Sequence, residues 1–434
     1  MSAPQVLVQR IARAVGERLA DERVARQDDE RPALPAADER LLARRLLADE
    51  LDRFATERLT AGQVPLSAAD EAGLADAVLA RVLGLARLQP YLDDPDVSDI
   101  HVRGHDSVWL KLRDGSRIAG DPVAESDEEL VALLRTTAAR LGRGARFDAA
   151  HPELNLQLED GSRLFATMEV SSRPSVTIRR HRFELSSLDE LADRGMVDRA
   201  LHSFLAAAVR ARRNVIVAGG TGSGKTTLLR ALLNEVPSHE RIVTIEDAYE
   251  LGIDRFADRH PDHDMLQARP ANIEGRGEIT MAQLARMALR MDPDRVVVGE
   301  VRGGEALTML LAMSQGNNGS MCTMHADAAR TVFPKLAAYV AMADTALPVE
   351  TVNLLVASAV HFVVHLEHRG PVRRVAGVRE VVDADGARIV SNEVWAPAPH
   401  GGGVPAFPMR EQTLALLEEH GFDASLLRAR AGWW

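Results

Sequence analysis

The chain has 434 residues, 46% hydrophobic and 26% charged. This is the balance of a folded globular protein, long enough for two or three domains, and it excludes global disorder. The formal net charge of −11, from 63 acidic against 52 basic residues, argues against a protein that lives on nucleic acid. No stretch reaches the ~18–20 apolar residues of a membrane span. The best, 351–366, is interrupted by Asn353, Ser358, His361 and His365. The N-terminus lacks the layout of a secretory signal, and a single cysteine, Cys322, allows neither an internal disulfide nor a multi-cysteine zinc site; a cytosolic protein is expected.

In chain order, residues 1–88 predict a helical bundle or extension. Ala- and Leu-rich amphipathic segments cover 6–26, 36–59 and 67–88, with a charged break at 28–32 and a near capping box at Ser67 and Asp70. Residues 89–185 predict a small α+β domain with its linker. Alternating strands occupy 97–102 and 107–112, a helix runs over 127–141, and Asp160-Gly161 turns between strands at 154–158 and 164–168. A last strand lies near Val176–Ile178, followed by a linker over 179–188. From 186 to 434 helices and strands alternate: helix 188–211, strand 214–218, helix 225–234, strand 241–245, helix 281–291, strand 295–298. That order predicts a doubly wound parallel α/β sheet. The Gly/Pro-rich 396–408 reads as a loop before a final helix near 411–419.

The strongest motif follows the strand at 215–218. Gly219-Gly220-Thr221-Gly222-Ser223-Gly224-Lys225-Thr226 matches G-x-x-x-x-G-K-[ST] and precedes a helix. The glycines let backbone N–H groups turn inward around a phosphate, and the helix N-terminus adds positive potential. Lys225 is one of only three lysines, with Lys111 and Lys335; it would reach the β and γ oxygens while Thr226 ligates Mg²⁺. Gly220 to Thr227 therefore form the candidate nucleoside triphosphate cradle. Three further strands deliver polar groups to the same predicted sheet edge: Glu246-Asp247 after 241–245, Glu300 after 295–298, and His325 after the run from Met321. Where many P-loop enzymes carry an Asp before the strand-end Glu, this chain has Gly299, so Glu300 is expected to hold a magnesium-bound water, activate the attacking water, or both. Taken singly, Glu246 could belong to an ordinary acidic loop and His325 could be structural. His260 and His263, beside Pro261, read as surface residues rather than metal ligands.

In order, Gly-Thr-Gly-Ser-Gly-Lys-Thr-Thr (220–227), Thr-Ile-Glu-Asp (244–247), Val-Gly-Glu-Val-Arg-Gly-Gly-Glu (298–305) and Thr-Met-His-Ala (323–326) resemble the Walker A, Asp box, Walker B and His box of the type II/type IV secretion and pilus-assembly ATPases. The stretches 268–278 and 289–295 resemble the subfamily serving tight-adherence (Flp) pili, CpaF or secretory TadA. The resemblance spans about residues 90–385. It implies a RecA-like ATPase domain preceded by a PAS-like α+β domain, with ATP and Mg²⁺ as cofactors. By the same resemblance Glu300 is the catalytic glutamate, Glu246 a second acid assisting water or metal, and His325 a sensor of the γ-phosphate. Arg163, in Asp-Gly-Ser-Arg, and Arg179, in Thr-Ile-Arg-Arg, match the family's nucleotide-contacting arginines. A homo-hexameric motor at the cytoplasmic face of the inner membrane is implied, reaching that membrane through polytopic platform proteins and not through nucleic acid. A type IV secretion or conjugation ATPase shares these catalytic motifs, and a nucleotide-binding scaffold without turnover is the non-enzyme alternative. The tetracysteine of the type II branch is absent, which disfavours that branch.

Overall fold

A computed structural model describes residues 3–428 except 30, 32–33, 35, 142–145, 181–186, 270, 272–274, 344–346 and 371. Residues 181–186 of the predicted 179–188 linker, part of the 28–32 break and part of the 268–278 stretch therefore lie outside the described residues. The chain divides into two units, Met1–Arg180 and His181–Trp434.

The first unit opens with helices α1 (Ala3–Asp28), α2 (Ala36–Thr60) and α3 (Ala68–Val82). Val15, Ala43, Leu47 and Val78 close their shared core, and Arg18 on α1 pairs with Asp49 and Glu50 on α2. Ser67 caps α3 through Asp70 N–H at 3.1 Å, as its sequence suggested. The helix expected over 67–88 instead ends at Val82, and a short 3-10 turn at Ala86–Leu88 leads into α4 (Gln89–Asp93). The strands follow as β1 (Val97–Arg103), β2 (Ser107–Leu112), β3 (Arg117–Gly120), helix α5 (Asp127–Leu141), β4 (Glu153–Gln157), β5 (Arg163–Thr167) and β6 (Ser175–Arg179). Among the described residues they form one antiparallel sheet in the order β3-β2-β1-β6-β5-β4. Alternation sets the faces: Ile100, Val102, Leu164, Ala166, Val176 and Ile178 are buried, with Leu130 and Leu134 of α5 in the same core.

The second unit begins with α6 (Leu188–Asp193) and α7 (Arg199–Arg210). The single helix expected over 188–211 is thus broken in two. Gly195 sits at φ +70°, which ends the first segment, and Asp198 caps the second by accepting from Leu201 N–H at 2.8 Å. There follow β7 (Val215–Gly219), α8 (Lys225–Leu233), β8 (Ile242–Glu246), β9 (His263–Gln267), α9 (Met281–Ala288), β10 (Arg295–Val301), α10 (Glu305–Ser314), β11 (Met321–His325), α11 (Val332–Ala341) and α12 (Val349–Ala359). The chain ends in β12 (Phe362–Arg369), β13 (Val372–Asp385), β14 (Arg388–Pro397), β15 (Gly403–Pro405) and α13 (Glu411–Glu419), with a last short helix at Ser425–Arg428.

Among the described residues the sheet order is β15-β14-β13-β12-β7-β11-β10-β8-β9. Pairing is parallel from β12 across to β9, and antiparallel from β12 to β15. The parallel half is the doubly wound sheet that the alternation predicted. Its strands are buried on both faces, since one hydrophobic cluster gathers Val215, Val217 and Val297 and another gathers Ile216, Ala218, Val296 and Val298. The antiparallel extension was not expected, and β15 lies inside the segment read as a loop. No helix is long and apolar enough to cross a membrane among the described residues.

Candidate active site at the P-loop

Strand order brings together what the chain keeps apart. β7 and β11 are neighbours in parallel register, so His325 sits directly opposite Gly219. β10 lies on the other side of β11 and β8 beyond it, so Glu300 and Glu246 reach the same carboxyl edge of the sheet. That edge is where open α/β sheets bind ligands. The ladder between β10 and β11 slips between Val298 and Val301, which face Cys322 and Met324: three steps on one strand meet two on the other. Gly299 and Glu300 thus occupy a bulge, a device that re-aims a side chain at a strand end.

The loop after β7 is shaped by its glycines. Gly222 and Gly224 adopt φ +73° and +95°. A Cβ on Gly219 would lie 2.5 Å from Ser223 Oγ and 2.7 Å from the Leu366 carbonyl oxygen, so only glycine fits this close approach. Gly220 and Thr221 are exposed at the mouth, while Thr226 and Thr227, in the first turn of α8, are half-buried. Lys225 is buried and donates from Nζ to the Gly219 and Gly220 carbonyls at 3.0 and 2.9 Å. Burial lowers its pKa, with Glu300 opposing.

Lys225 Nζ also lies 3.3 Å from His325 Nδ1, and His325 Nε2 lies 2.8 Å from Glu300 Oε1. Burial, then the Lys225 charge, lowers the His325 pKa, favouring the neutral ring. Lys335, from α11, fixes the strand end by donating to the His325 carbonyl at 2.7 Å. The other carboxylate oxygen, Glu300 Oε2, accepts from Arg302 Nε at 2.6 Å.

Glu246 sits differently from its sequence reading as an acid assisting water or metal. Its side chain is turned into the protein: Oε2 accepts the backbone N–H groups of Glu250 and Leu251 at 2.7 and 2.8 Å, and Oε1 faces Thr244 Oγ1 at 3.2 Å. Burial pushes its pKa up to about 7 against those bonds. Glu246 also explains Gly299. A Cβ there would stand 3.2 Å from Glu246 Cγ, so the space where an Asp side chain would begin is taken by the carboxylic side chain of the adjacent strand.

Two buried polar atoms at this edge, Ser223 Oγ and Glu300 Oε1, make no hydrogen bond of good geometry within the protein. With Lys225 held on the loop's own carbonyls, the donor set fits a triphosphate and its hard divalent cation: amide and ammonium donors for phosphate, hydroxyl and carboxylate oxygen for Mg²⁺. Among the described residues no cluster of three or more His, Cys, Asp or Glu could cage a metal unaided. His260, read as a surface residue, is instead buried, with both ring nitrogens unpartnered and a lowered pKa. The cause is packing of the turn after Phe256, whose carbonyl accepts the His260 N–H at 3.1 Å.

Arg163 and Arg179 lie in the first unit, where they are direct register partners on β5 and β6. They share the sheet face opposite the core, and Arg179 lies 3.8 Å from Asp99 of β1. Two residues at the P-loop edge had no role assigned from sequence. Arg302 stood inside the Walker B-like run, and only its distance from Glu300 reveals its partner. Arg373, on the unforeseen β13, donates to the Gly222 carbonyl at 2.8 Å and carried no local motif.

A P-loop strand central to a parallel sheet, with lysine, histidine and glutamate converging at its carboxyl end, defines a RecA-like nucleotide-binding domain. The family model described as "Type II/IV secretion system protein" matches residues 96–377, and the chain belongs to that family of secretion ATPases. It is 37% identical over 321 residues to a putative conjugal transfer protein of Mycobacterium tuberculosis (strain H37Rv), covering 72% of this chain and 88% of that protein. It is 31% identical over 325 residues to the type IV secretion system protein VirB11 of Brucella suis, covering 68% and 88%. Among solved structures it is similar to the Brucella suis VirB11 ATPase in complex with sulphate, at 30% identity, 68% and 93% coverage and a TM-score of 0.37.

Proposed function

We propose that this chain is an ATP-hydrolysing motor that powers a type IV-related pilus or secretion system. One observation carries the reading: the run from Lys225 through His325 to Glu300, in steps of 3.3 and 2.8 Å, at the mouth of a P-loop. ATP is the substrate, cradled by Gly220 to Thr227. Lys225 exchanges the Gly219 and Gly220 carbonyls for β and γ oxygens. Glu300 orients the attacking water and takes its proton, and His325 reports the state of the γ-phosphate to Glu300. Mg²⁺ would be held by the Thr226 hydroxyl and by Glu300, and would supply charge neutralisation on the phosphates. Glu246 serves as a buried strut for the loop 247–251. Arg163 and Arg179, register partners on one sheet face of the first unit, are proposed from the family resemblance as nucleotide-contacting arginines, a role worth ~10³-fold or more in rate for an arginine finger.

The chain works as a homo-hexamer at the inner membrane, through a polytopic platform and without nucleic acid. The tight-adherence branch is supported by the 268–278 and 289–295 stretches. A type IV secretion or conjugation ATPase is the second reading, supported by the similarity to the conjugal transfer and type IV secretion proteins above. Turnover of the purified chain against Glu300→Gln, with mass measured by light scattering with and without Mg·ATP, tests the motor. Loss of hydrolysis with retained nucleotide binding and a six-fold mass is expected. Binding without turnover or assembly, even with platform protein added, overturns it. Capture of a tight-adherence platform protein, against capture of a type IV secretion inner-membrane component, separates the two branches.

A further inference from the structure

Glu300 carries two chemically equivalent oxygens, and the fold treats them differently. Oε2 is taken by the Arg302 guanidinium, through Nε at 2.6 Å and through a second contact from NH2. Oε1 is buried, lacks a well-aligned hydrogen bond and has His325 Nε2 beside it at 2.8 Å. Arg302 is itself held at both ends. Its backbone N–H and that of Gly303 donate to Glu305 Oε1 at the start of α10, at 2.5 and 2.9 Å. Its guanidinium lies 3.6 Å from Asp247 Oδ2 on the loop after β8. That loop is the one anchored by Glu246 through the Glu250 and Leu251 amides. A bulge, a capped turn and a strutted loop therefore converge on one guanidinium, more fixation than a side chain more than half exposed would need for packing.

We propose that Arg302 is the positioning residue for Glu300. By occupying Oε2 it locks the carboxylate plane and leaves Oε1 as the single oxygen that receives the proton of the attacking water. The inference rests on the ATPase reading above. In that step the water oxygen bonds to the γ-phosphorus, the bond from phosphorus to the β,γ-bridging oxygen breaks, ADP keeps the electron pair, and the water proton passes to Oε1. Arg302 forms no bond to nucleotide. It acts only by removing rotational freedom from the base, the kind of misplacement that costs rate rather than affinity.

The test uses the full chain and its Arg302→Ala and Arg302→Lys variants. Three quantities are measured: kcat, the affinity for a fluorescent non-hydrolysable ATP analogue with Mg²⁺, and kcat in millimolar free guanidinium. Arg302→Ala is expected to lose about 10–100-fold in kcat, with analogue affinity within about twofold of wild type. Arg302→Lys should recover part of the loss, because it restores charge without the fork. Free guanidinium should raise kcat of Arg302→Ala and leave Glu300→Gln unmoved. Analogue affinity weakened tenfold with kcat retained would make Arg302 a nucleotide ligand and overturn the proposal; so would an unchanged kcat in Arg302→Ala. A crystal structure of Arg302→Ala reads the geometry independently of turnover. A carboxylate rotated away from its wild-type plane is expected, and an unmoved one refutes the positioning role. Failure of the wild type to hydrolyse ATP would count against the motor reading alone, since that geometric readout still decides the role of Arg302.

Discussion

Glu246 gives this fold a pH dependence that can be worked out from its surroundings. The residue is 1% exposed, and burial pushes the pKa of its carboxyl group up to about 7 from an ordinary 4.5. The folded state therefore holds a proton that the unfolded chain has released. The stabilisation is complete below the unfolded pKa of 4.5 and is lost as pH rises through about 7. Between pH 5.5 and 8 the protonation gap spans about 1.5 pH units, worth about 2 kcal/mol at 1.36 kcal/mol per unit. For a unit of this size that is a fall in Tm of roughly 4–8 °C. Glu246→Gln removes the titration and keeps the contacts: its amide oxygen can accept from the Glu250 and Leu251 amides, and its NH2 can donate to Thr244 Oγ1. Calorimetric melts of both full-length proteins at pH 5.5, 6.5 and 8 should therefore diverge, the wild type losing about 2 kcal/mol more than the variant across that range. Identical pH dependence in the two proteins would refute the buried, proton-holding Glu246.

Three other substitutions probe the frame around the site. Asn214, fully buried, donates to the Met313 and Ala359 carbonyls at 2.9 and 2.6 Å and accepts from the Gly319 and Ser320 amides at 2.8 and 3.0 Å. Asn214→Ala strands all four groups and should cost about 3 kcal/mol or more by urea denaturation. Arg295→Met takes from the buried Glu240 carboxylate its partner at 2.6 Å, leaving it only the more distant Arg212 at 3.5 Å, and should cost about 3 kcal/mol, most of it recovered by the double change with Glu240→Leu in the same assay. Gly224→Ala puts a side chain at φ +95° with Met196 Cε only 3.1 Å away; the strain alone costs about 1–2 kcal/mol, and titration with an ATP analogue should show nucleotide affinity lost.

Local chemistry made much of this protein legible. The P-loop could be read because glycine, lysine and threonine at fixed offsets have one well-defined job, and its flanking strand and helix have opposite periodicities. The helix at 127–141 and the turn at Asp160-Gly161 were equally local. The break at Gly195 was not, because an unbroken helical pattern on both sides outweighs one glycine until tertiary packing redirects the chain. β13 to β15 escaped notice because strands that extend an existing sheet need no motif of their own, only a neighbour's open edge.

The sequence by itself determined which side chains end each strand: Glu246, Glu300 and His325 all follow apolar runs, and that order already pointed to a nucleotide site. Only the tertiary structure decided what each one faces. Strand order places His325 beside Gly219, the bulge at Gly299 turns Glu300 toward Lys225's partner, and burial turns Glu246 inward onto two amides. The pairing of Glu300 with Arg302 required both the bulge and the cap from Glu305. Composition and spacing fix what a residue can do. Which of those things it does depends on hydrogen-bond partners and on loss of water, and these are supplied by segments tens of residues away.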